Sequence, residues 1–290
     1  MLPAMAGKPV VTIVGPGRLG AALTLALHDA GYRIDEIVTR PGGQRRAAAL
    51  GRRVGAKVVS FDRAELSGDV IWICVPDGAI RDVAHQLRNA GEWRGKYVFH
   101  SSGALPSSEL VELKRRGAEI ASVHPMMSFV HRAAPSLRGV SFAIEGDASV
   151  AKVARNIVKT LGGDAIAISA RAKPLYHAFG AFASPMLISV LAVAEEVGQA
   201  AGLSRAAARK AMLPIVAQTI RNYEKNGGAG AFSGPIIRGD VETVRRNITS
   251  LQSLSEAQQA YAALGEAAVR YLPAMNRKKL KEIFRKYLKS

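Results

Sequence analysis

Short apolar runs recur along the first 168 residues, and amphipathic stretches of helical length separate them. Residues 70–75 form the clearest run, an uninterrupted apolar segment bounded by Asp69 and Pro76. Such a run is typical of a strand that is buried on both faces of a parallel sheet. Further strands are predicted at residues 10–14, 34–39, 57–59, 96–99, 119–123, 140–144 and 165–168. Strands that alternate with helices in this way predict an α/β fold with a doubly wound, mostly parallel sheet.

The pattern changes after Ser169, where long segments rich in Ala and Leu have helical spacing and contain no strand candidate. We therefore predict an α/β domain at residues 1–168 and an all-α domain at residues 169–290. The longest uncharged run, residues 174–194, contains His177, Ser184 and Pro185, whereas a membrane span needs about 20 cleanly apolar residues. It is predicted to be a helix buried at the centre of the second domain, and no membrane partner is expected.

Basic residues outnumber acidic ones, with 40 Lys and Arg against 23 Asp and Glu and a formal net charge of +17. A charge of this size is compatible with nucleic-acid binding, but the basic residues are spread along the chain. Their one dense cluster, at residues 277–289, alternates with apolar residues at helical spacing, which favours an amphipathic helix with a solvated face. No nucleic-acid partner is therefore expected. A single cysteine, Cys74, and an N-terminus unlike a signal peptide predict a cytoplasmic protein.

A glycine-rich turn follows the first predicted strand and opens the first predicted helix. Its sequence is Gly15-Pro16-Gly17-Arg18-Leu19-Gly20, which matches the pattern G-x-G-x-x-G. In dinucleotide-binding proteins the first glycine permits a tight turn, the second lets the backbone approach the pyrophosphate, and the third lets the helix pack on the strand. The free N–H groups of the helix then bind phosphate. We predict that these residues bind a dinucleotide; a glycine turn without a ligand is the alternative.

The end of the second predicted strand indicates which nicotinamide cofactor binds. An NAD-specific site has an acidic residue here that bonds the ribose hydroxyls, whereas this chain has Thr39 and Arg40. A guanidinium can pair with the 2′-phosphate of NADP(H), and Arg45 and Arg46 can add charge. We therefore predict a preference for NADP(H) over NAD(H), with Thr39, Arg40 and Arg45 at the cofactor. A solvated helix face is the alternative for Arg45 and Arg46.

Val75 and Pro76 close the fourth predicted strand at its carboxyl end, where ligands bind in open α/β sheets. They are predicted to line the cofactor. Asp77, which follows them, either belongs to the same lining or caps the next helix.

Four further segments complete a family resemblance: HSSG at 100–103, HPMMSF at 124–129, residues 173–185, and GPIIRGD at 234–240. Together with the glycine turn they resemble the superfamily of 6-phosphogluconate dehydrogenase, 3-hydroxyacid dehydrogenases, ketopantoate reductase, prephenate dehydrogenase and pyrroline-5-carboxylate reductase. More narrowly, the chain resembles Rossmann-like proteins with a C-terminal domain of unknown function, DUF2520. The resemblance covers nearly the whole chain. It implies a Rossmann dinucleotide-binding domain followed by a helical domain that closes the substrate site.

His100 and His124 each end a predicted strand, and both are expected at the sheet edge where nicotinamide would lie. The predicted roles are cofactor binding for Ser101 and Ser102, substrate binding for His100 and Gly103, and catalysis for His124. A hydrogen-bonded structural role is the alternative for either histidine. No third ligand accompanies the two histidines in the sequence, so no metal is predicted.

Lys173 and His177 are four residues apart and therefore share one face of a predicted helix. In the 6-phosphogluconate and hydroxyacid dehydrogenases that the chain resembles, a Lys followed four residues later by an Asn forms the catalytic helix. Here His177 stands in place of that Asn. The resemblance implies catalytic roles for both residues, with Lys173 protonating the charge that hydride addition creates. A solvated Lys173 ahead of Pro174 is the alternative.

Three more polar residues are predicted to bind an anionic substrate. Ser184 lies two helical turns beyond His177 and either holds a carboxylate or is buried within the helix. Arg238 and Asp240 lie in a loop rich in Gly and Pro, where Arg238 suits a carboxylate and Asp240 can orient it. For Asp240, capping of the next helix is the alternative.

These features predict an NADP(H)-dependent oxidoreductase that transfers hydride between nicotinamide and a small anionic oxo acid or cyclic imine, with Lys173 or a neighbouring His as the proton donor. An NADP(H)-binding sensor or scaffold without turnover is the alternative, because His177 replaces the catalytic Asn. The apolar helices after residue 175 exceed what one small domain can bury, which predicts a homodimer.

Overall fold

The computed structural model describes residues 7–130 and 135–288. Its contacts divide the chain into two compact units, Met1–Ala181 and Phe182–Ser290. The first unit contains an eight-stranded sheet with the order β3-β2-β1-β4-β5-β6-β7-β8. The strands are β1 (Val11–Val14), β2 (Ile34–Thr39), β3 (Lys57–Ser60), β4 (Val70–Ile73), β5 (Tyr97–His100), β6 (Glu119–Pro125), β7 (Ser141–Gly146) and β8 (Asp164–Ala167). The first six strands are parallel, and β7 is antiparallel to β6.

Six helices belong to the described part of the first unit: α1 (Arg18–Asp29), α2 (Gln44–Val54), α3 (Ile80–Leu87), α4 (Val111–Arg115), α5 (Ala148–Thr160) and α6 (Lys173–Ala183). Successive strand residues enter different hydrophobic clusters. Ile13 and Trp72 pack in one cluster, whereas Val14 and Ile73 pack in the other. The central strands are therefore buried on both faces, and the predicted α/β fold with a mostly parallel sheet is confirmed.

The strand register brings four strand ends to one edge of the sheet. Val14 pairs with Ile73, Ile73 pairs with His100, and His100 pairs with Ser122. The order of the strands reverses direction between β1 and β4, because the chain leaves β1 toward β2 and returns to β4 on its other side. Ligands of open α/β sheets bind in the crevice at such a point.

The second unit is helical throughout its described residues. It contains α7 (Pro185–Ala200), α8 (Arg205–Ala231), α9 (Pro235–Arg238), α10 (Val241–Ser250), α11 (Ser255–Tyr271) and α12 (Arg277–Tyr287). A small core is shared by α10, α11 and α12, with Phe284 and Val269 fully buried. The glycine-rich stretch 226–230, which its composition predicts to be a loop, instead lies in α8, with a break in the helix at Gly227. Its neighbours still form helical hydrogen bonds, because only the one residue leaves the helical conformation.

The predicted helix at residues 174–194 differs from the structure in two ways. Ser184, with φ −131 and ψ −79, separates α6 from α7, because a residue before proline avoids the helical conformation. The segment is also not buried within the chain: Phe182 is 76% exposed and Ile188 is 62% exposed. By length and composition alone, residues Ala170–Ala200 could cross a membrane. One such segment is only weak evidence for a membrane span.

The predicted domain boundary at 168/169 follows directly after β8, whereas the division by contacts falls at 181/182. The residues between the two boundaries, 169–181, contain most of α6, which packs with the first unit. We propose 168/169 as the boundary between the two domains, because the last strand of the sheet ends there.

Candidate active site

The glycine turn after β1 has the geometry of a dinucleotide cradle. Gly15 has φ +91, and its N–H donates to the Val38 carbonyl oxygen at 2.8 Å. A Cβ on Gly15 would lie 2.8 Å from the Cys74 carbonyl oxygen, and a Cβ on Gly20 would overlap the carbonyl oxygen of Gly15. Both positions therefore require glycine for reasons within the fold.

Gly17 differs from its two neighbours in the motif. It is exposed and extended, with φ −71 and ψ −164, and a Cβ there would meet nothing within 4 Å among the described residues. Gly17 precedes α1, whose first turn has no side-chain cap in the described chain and includes the exposed Arg18. An open backbone beside free helical N–H groups fits a pyrophosphate, and the residues of this turn could hold one. Pro16 and Leu19 flank it and are half-buried.

The turn between β2 and α2 presents basic side chains. Arg40 is exposed directly after β2, and the Gly43 N–H donates to its carbonyl oxygen at 2.9 Å. Arg45 and Arg46 are exposed in the first turn of α2. Thr39 is only 6% exposed and packs against Gly43, so its contact with a cofactor stays a prediction. The arginines fit the 2′-phosphate of NADP(H), since a guanidinium donates to phosphate oxygens.

Ser102, directly after β5 and Ser101, is the centre of a buried hydrogen-bond network. Its hydroxyl donates to Asp77 Oδ2 at 2.8 Å and accepts from the Leu105 N–H at 2.9 Å. Asp77 therefore holds Ser102; within the described chain its side chain does not cap the helical segment that follows. Ser101 Oγ accepts from Trp72 Nε1 at 2.8 Å and is half-buried, as are Val75 and Cys74. Cofactor binding by Ser101, Ser102, Val75 and Pro76 stays a prediction, although the Ser102 hydroxyl is already engaged.

His100 has the structural role that was its alternative. It is fully buried, its Nε2 donates to the Pro106 carbonyl oxygen at 3.0 Å, and its Nδ1 accepts from the Ser102 N–H at 3.1 Å. Burial lowers the His100 pKa to about 4, which keeps the ring neutral. Both nitrogens are occupied by backbone groups, so the prediction that His100 binds substrate is corrected to a role in shaping the turn at 101–106.

Lys173, the first residue of α6, is 0% exposed. Its ammonium donates to the Ser102 carbonyl oxygen at 2.8 Å and to Ser122 Oγ at 2.5 Å. Desolvation lowers the Lys173 pKa to about 8, against the opposing influence of the Glu145 and Asp77 carboxylates. The solvated alternative is therefore wrong. The ammonium instead holds the backbone that follows β5.

His124, His177 and Gly103 converge beside this network, and Tyr176 joins them. His124 Nδ1 lies 3.3 Å from the Tyr176 hydroxyl, and the two rings meet edge to face with centroids 5.6 Å apart. A Cβ on Gly103 would lie 2.9 Å from His124 Nε2 and 3.0 Å from His177 Cδ2. Sequence reasoning missed Tyr176, although its spacing of three residues from Lys173 places it on the same helix face.

Of the predicted residues in the second unit, Asp240 has the capping role that was its alternative. Its Oδ1 accepts from the Thr243 N–H at 3.0 Å at the start of α10, and hydrogen bonds from the Thr243 side chain and from this N–H lower the Asp240 pKa. Arg238 is exposed at the end of α9 and remains available to an anion. Ser184 precedes α7 and is half-buried, and the break after α6 removes the continuous helix that was to align it with His177. Within the described ranges, no three His, Cys, Asp or Glu residues cluster as metal ligands would.

Two family models match the chain. Residues 5–125 match a Rossmann-like domain, and residues 140–268 match a domain of unknown function, DUF2520. The second match therefore includes β7, α5 and β8 of the sheet as well as helices of the second unit. No curated protein sequence matches the chain.

Several solved structures share the fold over nearly the whole chain. A protein from Thermotoga maritima is 22% identical with a TM-score of 0.72, covering 96% of this chain and 100% of that one. An imine reductase from Myxococcus stipitatus in complex with NADP+ is 17% identical with a TM-score of 0.65, covering 97% and 100%. A pyrroline-5-carboxylate reductase from Coxiella burnetii is 15% identical with a TM-score of 0.60, covering 97% and 98%. The likeness at these identities shows a common fold.

Proposed function

Because the chain joins a Rossmann-like domain to a DUF2520 domain, we propose that it is an NADP(H)-dependent oxidoreductase. It transfers hydride between nicotinamide and a small anionic oxo acid or cyclic imine. The observation that carries this proposal is Gly17, whose exposed and unobstructed backbone lies before a helix without a side-chain cap. The fold does not require a glycine at this position, whereas a bound pyrophosphate would. The cofactor-bound imine reductase with the same fold supports the choice of chemistry.

NADP(H) is proposed over NAD(H) because of the side chains around the β2–α2 turn. Arg40 and Arg45 are exposed where an NAD-specific site would have a carboxylate, and the described residues form no ion pair with either of them. An unpaired guanidinium at this point favours a 2′-phosphate. We propose a cytoplasmic location, because a chain with one cysteine cannot form an intrachain disulfide and suits a reducing compartment.

His124 and His177 are proposed to contact the substrate, and Lys173 is proposed to support the site by holding the backbone after β5. A bound nicotinamide supplies or accepts the hydride. His124 then exchanges a proton with the substrate oxygen or nitrogen, His177 lies near it beside Gly103, and Lys173 holds the Ser102 carbonyl oxygen directly before Gly103. Arg238 and Ser184 are proposed to bind the substrate carboxylate.

A sensor or scaffold that binds NADP(H) without turnover is the second candidate. The observation in its favour is the burial of Lys173, whose ammonium is held by protein acceptors. A buried, engaged ammonium can maintain a binding site without reaching a substrate.

Lys173→Met separates the two candidates. In an enzyme, loss of the ammonium is expected to lower turnover about 100-fold or more, because the fixed charge no longer stabilises the charge that hydride transfer creates. NADPH affinity is expected to change less than about threefold, since Lys173 lies outside the glycine turn. NADPH oxidation with a panel of small oxo acids and cyclic imines measures the first quantity, and calorimetry the second. Lys152→Met, on the exposed face of α5, is the control. A wild-type protein that binds NADPH but turns over no member of the panel supports the sensor.

A homodimer is also proposed, joined through helices of the second unit. Ile215 is 68% exposed and Ile188 is 62% exposed, and an apolar groove of about 790 Å³ lies among α7, α10 and α11. A second copy is the occupant that best fits, because apolar helix faces of this extent are rare on monomers. The same contact would cover exposed apolar side chains of α7 such as Met186 and Ile188.

Ile215→Glu is expected to shift the protein from dimer to monomer, because a buried carboxylate at an apolar interface is strongly unfavourable. Light scattering after size exclusion measures the mass. Lys210→Glu introduces the same side chain at an exposed position of α8 and is expected to leave the dimer intact. A monomeric wild-type protein, or a dimer that survives Ile215→Glu unchanged, contradicts this proposal.

A further inference from the structure

The phenol of Tyr176 contacts the imidazole of His124 near the end of β6, and the contact is made through one ring nitrogen, Nδ1. The Tyr176 hydroxyl lies 3.3 Å from His124 Nδ1, and the rings are perpendicular, with an interplanar angle of 89°. Both side chains are half-buried. This contact commits Nδ1 to a protein partner and leaves Nε2 as the edge that can meet a ligand.

The Nε2 edge of His124 lies against Gly103. Gly103 is buried, and its φ lies outside the left-handed region, so its backbone conformation is open to other residues. Its lack of a side chain matters for space: a Cβ would lie 2.9 Å from both Nε2 and Cε1 of His124, and 3.0 Å from His177 Cδ2. The two imidazoles can approach residue 103 this closely only because it has no side chain.

The charges around His124 keep it neutral. Burial lowers the His124 pKa to about 4, and the nearby Lys173, His177 and His100 act in the same direction, while Asp77 opposes them. Burial also raises the Tyr176 pKa. Near neutral pH the pair therefore holds two protons, one on the phenol and one on the imidazole.

We propose that Tyr176 and His124 form the proton-delivery pair of this site, with Tyr176 donating to Nδ1 and His124 presenting Nε2–H to the substrate on the side of Gly103 and His177. His124 is the catalytic residue, and Tyr176 is a positioning residue that selects the tautomer. This inference rests on the proposed oxidoreductase function and identifies the proton donor that the sequence left open between Lys173 and a histidine.

The proposed step balances in protons and electrons. As hydride adds to the substrate carbon, the C=O or C=N electron pair moves to the oxygen or nitrogen, which takes the proton of His124 Nε2. Nδ1 uses its lone pair to take the Tyr176 proton as the Nε2–H bond breaks, so the imidazole stays neutral. The phenolate then regains a proton from water, to which the half-buried Tyr176 has access.

Nitrogen NMR of protein labelled with ¹⁵N-histidine tests the pair without a substrate. His124→Gln identifies the His124 resonances by their loss. The wild-type protein is expected to show a protonated Nε2 and an unprotonated Nδ1, and Tyr176→Phe is expected to give a mixture of tautomers, because the phenol no longer selects one. A wild-type ring protonated at Nδ1, or a tautomer unchanged in Tyr176→Phe, overturns the proposal.

Kinetics give the second readout. Tyr176→Phe is expected to lower kcat about 100-fold or more, with KM changed little, because His124 then loses both its fixed tautomer and the source of the proton that replaces its own in the transition state. Tyr271→Phe, at a tyrosine that is 75% exposed, is the control and is expected to leave both constants unchanged. If NADPH does not bind at all, the oxidoreductase function fails regardless of the tautomer. If NADPH is oxidised and Tyr176→Phe keeps its kcat, only the proton-delivery pair fails.

Discussion

Gly17→Ala is expected to weaken NADPH binding about tenfold or more while changing the stability of the protein by less than about 1 kcal/mol. The small cost follows from the local structure, in which a Cβ at this position meets nothing within 4 Å among the described residues and the backbone is extended. The large effect follows from the ligand, since the backbone must approach the pyrophosphate closely at the second glycine of the motif. Calorimetric titration and thermal unfolding measure the two quantities.

Gly20→Ala is the matched comparison, because it places the same methyl group three residues further on in the same turn. Its Cβ would overlap the carbonyl oxygen of Gly15, so this variant is expected to lose about 1–3 kcal/mol of unfolding free energy. The two variants therefore separate a glycine that the ligand requires from one that the fold requires. NADPH binding as tight in Gly17→Ala as in the wild type would mean that the turn holds no dinucleotide.

Arg40→Asp is expected to lower NADPH affinity about 10- to 100-fold, the loss expected for a charge-assisted hydrogen bond to phosphate. NADH affinity is expected to rise, because the new carboxylate can accept hydrogen bonds from the ribose hydroxyls. Calorimetry with each cofactor at one ionic strength measures the reversal.

Arg53→Asp makes the same change of charge near the other end of α2, where Arg53 is also exposed. It is expected to leave the ratio of NADPH to NADH affinity unchanged. An equal loss of NADPH affinity in both variants would assign the preference to the overall positive charge of the protein rather than to Arg40.

The sheet and the glycine turn could be predicted from the sequence because their determinants are local. The run at residues 70–75 is apolar at every position because β4 is buried on both faces, and the turn contains its glycines within six consecutive residues. The break between α6 and α7 also had a local indicator, Pro185, which the apolar composition around it outweighed.

The roles of Lys173 and His100 could not be predicted, because the partners of Lys173 are distant in sequence and those of His100 depend on how the turn after β5 folds. Lys173 contacts Ser102 and Ser122, which only the pairing of β5 with β6 brings together. His100 finds its two backbone partners in the turn that follows it. A residue type at a strand end indicates an ionisable group near the site, but its access to a ligand depends on contacts across the sheet.

The surroundings of the long apolar helices could not be predicted either. Their composition indicates that these helix faces are buried away from water. It does not indicate whether the same chain or another chain buries them. The prediction of a helix buried within its own domain was wrong for this reason, and the exposed Phe182 and Ile188 support a second copy as the cover.

The central claim is that the turn after β1 binds NADP(H), and titration of the unaltered protein with NADPH and NADH tests it most directly. Calorimetry at matched ionic strength is expected to give saturable binding of both, with NADPH bound about tenfold more tightly or better through its 2′-phosphate. Absence of binding by either nucleotide would contradict the account of the glycine turn, and equal affinities would contradict the role of Arg40.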